Sequence, residues 1–233
     1  MERLISIYKE QWQVFVKRYI KYLVFYFVVS VISAMCAFQG FISNPELAKT
    51  FFDYTVEIFE KKGMTTSSLT WFDGVILGTN IGVYEMLRFG FSIFINNLLV
   101  ITLLVISGFL AWSIFPLIYP LFTIIMNSIL IGGALAYFKI NGHQPGELFV
   151  KGVLPHGVTE FLAIYIAASL GTYIGVHMIS WSFKTLKDFT KMQESKEKLK
   201  DLSIKVFYTY VFVLIPLVAI SAFIECVITP MLL

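Results

Sequence analysis

The sequence predicts an all-α fold: a polytopic bundle of about five transmembrane helices, N-terminus cytoplasmic and C-terminus outside, with interfacial helices attached. Three observations point that way. Of 233 residues, 58% are hydrophobic and only 14% charged, where a soluble chain carries about 25% charged residues. Mean hydropathy is +0.78. From Phe89 to Phe138 there is no Asp, Glu, Lys or Arg. Such a run suits a bilayer, in which each spanning helix takes about 20 apolar residues, and it is long enough for two spans. A sizeable soluble catalytic domain is excluded on the same grounds.

Residues 1–21 read as a cytoplasmic interfacial helix rather than a cleavable signal. Arg3, Lys9, Lys17, Arg18 and Lys21 are set among Leu4, Ile5, Trp12, Val14 and Phe15, and no small-residue cleavage site follows. Residues 22–42 form the first span. Residues 43–88 make an extracytoplasmic amphipathic or re-entrant segment. It opens with Ser43-Asn44-Pro45-Glu46: a cap residue, proline at the first helical position and an early acid, which together start a helix well. Leu47, Phe51, Phe52, Thr55, Ile58 and Phe59 share one side of that helix, and Gly63 stops it. Within residues 71–88, Gly74, Gly78 and Gly82 recur at four-residue spacing. That row suits close helix packing, or equally a surface helix with three flexible points.

Residues 89–233 form a four-span core. The second span covers about residues 89–112 and the third 115–138, separated by a tight turn at Pro116, which sits poorly inside a continuing helix. A hydrophilic loop at 139–152 precedes a long fourth span at 153–181. A charged cytoplasmic helix at 182–205 leads to the fifth span, 206–229. Basic residues concentrate before the first span and in the 182–205 segment, whereas 43–88 is acid-rich. By the excess of Lys and Arg on the cytoplasmic side, these assignments agree with five spans and the termini on opposite sides. The lysine-rich segment is a solvated helix touching anionic headgroups.

Ionisable residues inside spans are costly and by default mark function. Here they are His156 and Glu160 in the fourth span, His177 near its other end, and Glu225 in the fifth. Asn96, Asn97 and Asn127 add buried amides, and Cys226 lies beside Glu225. In the expected topology His156, Glu160, Glu225, Asn96, Asn97 and Cys226 fall in the outer half of the membrane, above an apolar cytoplasmic half. His156 and Glu160 are four apart and share a helix face. An imidazole and two carboxylates suit a divalent metal such as zinc, or a proton, since such groups strongly influence one another's ionisation. Three readings stand together: a structural hydrogen-bond network, a metal or cation site, and a catalytic site. Asn127 reads as interhelical glue, and Gly171-Thr-Tyr-Ile-Gly175 as a helix contact or a homodimer seam. The His156…Glu160 spacing is not the His-Glu-x-x-His pattern of zinc proteases. There is no phosphate-binding glycine loop, no Ser–His–Asp set and no basic aromatic patch for nucleic acid.

Leu154-Pro155-His156-Gly157-Val158-Thr159-Glu160, followed by an Ala/Ile-rich span and by Ala222-Phe223-Ile224-Glu225 with Thr229-Pro230, resembles the stage II sporulation protein M family. Phe94-Ile95-Asn96-Asn97, Gly108, Asn127 and Gly132 fit the same pattern, and the resemblance covers residues 89–230. It implies a multi-pass protein of the cell membrane. It also implies a scaffold or partner-binding subunit in the cell envelope, since the sporulation member serves a complex that remodels peptidoglycan. The lipid bilayer and envelope proteins are then the expected partners. An ion or small-solute transporter or channel using His156, Glu160 and Glu225 is the alternative function. An intramembrane metal-dependent hydrolase with a glutamate base comes third.

Overall fold

The computed structural model describes residues 19–62, 83–110 and 115–232, and among these the secondary structure is helical with no strand. The helices are α1 (Ile20–Ile42), α2 (Pro45–Lys61), α3 (Val83–Ser107), α4 (Phe115–Ile140), α5 (Pro145–Lys187) and α6 (Met192–Ile228), the last continued by a turn at Thr229–Leu232. Five helical stretches among the described residues are long and apolar enough to cross a membrane: Ile20–Ile42, Arg88–Ser107, Leu117–Ile140, Pro145–Lys187 and Met192–Ile228. Their surfaces agree. Phe25, Phe27, Val28, Ile32 and Met35 of α1 are all exposed, a patch that would be untenable in water but faces lipid in a bilayer. The protein is a multi-pass, membrane-embedded helical protein in contact with lipid.

The local signals explain the helix ends. Asn44 caps α2, its Oδ1 accepting from the Leu47 N–H at 3.2 Å, with Pro45 in the first turn. α4 closes on Gly142, the one residue of positive φ (+87°) among those described. The N–H of His143 reaches the carbonyl of Phe138, and that of Gly142 the carbonyl of Lys139, the paired bonds by which a glycine ends a helix. Pro145 then starts α5 at once.

Several boundaries differ from the sequence expectation. The loop expected at 139–152 shrinks to 141–144, because the Gly142 stop and the Pro145 start lie so close together. The charged 182–205 segment is not a separate helix. It is the end of α5 and the start of α6, joined by a short turn in which Asp188 Oδ1 accepts from the N–H and hydroxyl of Thr190. Residues 83–88 run straight into the second span, which ends at Ser107, and Pro116 lies inside the first turn of α4. The interfacial helix at 1–21 (up to residue 18), the Gly74, Gly78 and Gly82 row and the Gly63 stop lie outside the described residues.

Three π-turns widen the long helices, at Phe149–Val153, Tyr210–Leu214 and Ile224–Ile228. Each is followed, one residue later, by a proline: Pro155, Pro216 and Pro230. A helical proline supplies no N–H and crowds the carbonyl four residues back. A turn holding one extra residue relieves that conflict without ending the helix.

The chain divides into two compact units: Met1–Val28 with Val100–Ile124 and Ala163–Pro216, and Val29–Leu99 with Ile125–Leu162 and Leu217–Leu233. In the first, every residue from Ala163 to Gly175 is buried. Gly171 faces the carbonyl of Leu104 and Gly108 faces that of Gly171. α3 and α5 therefore meet backbone to backbone, an intramolecular use of the glycine that also allowed a dimer seam. Tyr26 and Thr172 share a hydrogen bond of 2.5 Å between their hydroxyls, and Tyr19 packs edge-on against Tyr173. In the second unit, α2 docks by its apolar side. Phe52 stacks on Tyr137 with ring centroids 4.0 Å apart, Phe51 lies on Phe41, and Phe59 packs against Ile93 and Ala222. Gly132 admits α1 closely at Ala34, and the Ser128 hydroxyl donates to that of Ser30 at 2.8 Å.

Candidate metal centre

Two helices of the second unit carry the ionisable groups. On α5, His156 and Glu160 lie one turn apart just after the first π-turn and Pro155. On α6, Glu225 sits inside the π-turn Ile224–Ile228. The two widened regions are neighbours, since Thr229–Leu232 packs against Phe149–Val153. The extra residue in a π-turn changes the direction of the side chains around it, and Glu225, inside such a turn, lies close to His156 and Glu160. One ligand-capable atom from each of these three residues lies within 4.8 Å of the other two. Among the described residues this is the one group of three or more His, Cys, Asp or Glu side chains so arranged. All three are half-buried.

Neutral polar groups surround the three. His156 Nδ1 lies 3.3 Å from the hydroxyl of Thr229, which is 2% exposed. The Ser221 hydroxyl lies 3.3 Å from the carbonyl of His156 and 3.5 Å from Oε2 of Glu160. The Asn97 side chain hydrogen-bonds to Glu160 as well, and is itself buried at 7% exposure. Asn96 Nδ2 donates to Asn97 Oδ1 at 3.4 Å, and Lys62 Nζ donates to Asn96 Oδ1 at 3.1 Å.

Every polar residue expected in the outer half belongs to this second unit, and so does Asn127, read as interhelical glue. The structure brings His156, Glu160 and Glu225 together and joins Asn96 and Asn97 to them. Asn127 is half-buried on α4. Cys226 stands apart from the ligand cluster. Its Sγ bonds the carbonyl of Phe223 at 3.5 Å and fills the space over Gly90, where an added Cβ would stand 2.7 Å away. Its place is in α3–α6 packing. His177 belongs to the first unit, with Nδ1 2.9 Å from the carbonyl of Tyr173 and its ring 3.9 Å from the Tyr173 ring. Ser221, Thr229 and Lys62 were not expected as site residues. Nothing in sequence sets Ser221 apart from other serines in apolar helices, whereas the Thr229-Pro230 pair was a usable signal.

Two carboxylates brought together in a low-dielectric surrounding need positive charge from a cation or a proton. The donor set of one imidazole nitrogen and carboxylate oxygens suits zinc and similar first-row divalent ions, with room left for water. A tetrahedral zinc spaces its N and O ligands by roughly 3.3 Å. The 4.8 Å bound therefore leaves the side chains a short inward rotation, and the residues fit. With the Thr229 hydroxyl 3.3 Å from Nδ1, Nε2 of His156 would be the nitrogen left for an ion, and Thr229 a second-sphere contact of the kind that fixes a ligand ring.

Neither the curated proteins nor the solved structures provide a match to this chain. The family model for stage II sporulation protein M, by contrast, matches residues 23–230, from the first span through Pro230. The Pro155–Glu160 and Glu225–Pro230 elements that build the cluster lie within that match, and the chain belongs to the stage II sporulation protein M family.

Proposed function

We propose that the protein is a scaffold or partner-binding subunit of the cell membrane whose His156–Glu160–Glu225 site holds a divalent cation, zinc being the ion that the donor set suits. One observation carries the metal reading: three donor atoms from two helices lie within 4.8 Å of one another, held by Thr229, Ser221 and Asn97. The ion would neutralise the two carboxylates and tie α5 to α6, fixing the surface offered to an envelope partner. Family membership supports the scaffold role, because the sporulation member serves a peptidoglycan-remodelling complex. The excess of basic residues before the first span and in the 182–205 segment supports a cytoplasmic N-terminus and, with it, a site in the outer half of the bilayer.

Elemental analysis of the detergent-purified chain tests the site, with Glu160→Gln and Glu225→Gln measured alongside. One zinc per chain, lost in both variants, is the expected result. A metal-free wild type would overturn the metal reading, and lower melting temperatures in its variants would then leave only a structural network.

A further inference from the structure

Lys62 at the end of α2, Asn96 and Asn97 on α3, and Glu160 on α5 form one hydrogen-bonded series within the second unit. Its two ends are chemically unlike. An ammonium group has donors and no acceptor, while an ionised carboxylate has acceptors and no donor. An asparagine amide has one end of each kind and is free in principle to face either way. Between a donor-only and an acceptor-only terminus, only one arrangement satisfies every contact. Asn96 turns Oδ1 to Lys62 and Nδ2 to Asn97, Asn97 turns Oδ1 to Asn96, and its Nδ2 is left for Glu160.

We propose that Lys62 is a positioning residue for the site: it fixes the orientation of the Asn96 and Asn97 amides and so delivers an N–H to the Glu160 carboxylate. The docking of α2 and the readiness of Glu160 to bind a divalent cation are thereby coupled. This rests on the metal reading for its ligand but not for the series itself. Lys61, the adjacent lysine, is a built-in control. It is exposed and paired with Glu57 at 2.6 Å along α2, so removing it takes away the same charge without touching the series.

The test uses the full chain in detergent and zinc competed against a chromogenic chelator. Loss of a second-sphere contact typically weakens metal affinity by about 10- to 100-fold. Lys62 acts on that contact through both amides, so Lys62→Met should show a loss at the lower end of that range, Lys62→Arg should restore most of it, and Lys61→Met should leave affinity unchanged. Equal losses in Lys61→Met and Lys62→Met, or none in Lys62→Met, would overturn the proposal. Melting of the metal-free chain provides a second measurement. The melting-temperature shifts of Lys62→Met and Glu160→Gln should be non-additive in the double variant, since the residues share one network. Additive shifts would defeat the series, whereas a wild type that binds no zinc but shows non-additive shifts would defeat only the metal reading.

Discussion

The Ser221 hydroxyl lies 3.5 Å from Oε2 of Glu160 while facing the main-chain carbonyl of His156 at 3.3 Å. One small side chain on α6 thus touches both members of the α5 pair. Ser221 is fully buried, so no water replaces it. Ser221→Ala should cost about 1 kcal/mol of stability, read from thermal melting, and should also weaken zinc binding. A variant that melts lower yet binds zinc unchanged would confine Ser221 to packing.

Gly171→Ala should be more damaging than its size suggests. The added Cβ would collide with the Leu104 carbonyl oxygen, which is main chain and has no rotamer to yield. A destabilisation of about 1–3 kcal/mol, typical of overpacking, is expected. Gly40→Ala, where the space is open, should be neutral or slightly stabilising, because alanine favours helix over glycine by up to about 1 kcal/mol. Melting temperatures of the two variants should move apart. Equal shifts would contradict the close α3–α5 approach.

Tyr26→Phe isolates a single hydrogen bond. The Tyr26 hydroxyl and Thr172 are 2.5 Å apart, both buried. Removing the hydroxyl should lower stability by about 1 kcal/mol with zinc content unaltered. Loss of zinc in this variant would show that the first unit bears on ion binding.

Pro230→Ala returns the missing N–H to α6, and the π-turn at Ile224–Ile228 should then relax toward an α-helical turn. The chain should remain folded by circular dichroism while its zinc content falls, because Glu225 sits within that turn. Pro216→Ala, beside the π-turn Tyr210–Leu214, should leave zinc unchanged. Full zinc occupancy in Pro230→Ala would separate the proline from the aim of Glu225.

The spans and the three residues of the cluster were readable in sequence for a simple reason. An uncharged run demands a bilayer, and a carboxylate or imidazole within it is conspicuous. Asn44-Pro45-Glu46 announced α2 through cap chemistry that operates locally. What could not be read depends on contacts between distant positions or on helix geometry. Lys62 looks like any charged residue at a helix end until its Nζ is found at Asn96. Cys226 shares the polar depth, yet its sulfur turns to Gly90, because neighbouring residues on a helix point in different directions. The charged 182–205 stretch looked separate since composition changes there, while the helical backbone passes through the change.

The widened turns before Pro155 and Pro230 have a consequence for how this protein tolerates change. One residue corresponds to about 100° of rotation in an α-helix, so each bulge acts as an angular offset between the stretches on either side. An insertion or deletion of a single residue there would swing the carboxylate of Glu225 or the imidazole of His156 toward hydrocarbon and bring a lipid-facing side chain inward. The bundle is therefore keyed, and its chemistry depends on the phase of two helices as much as on the residues they carry.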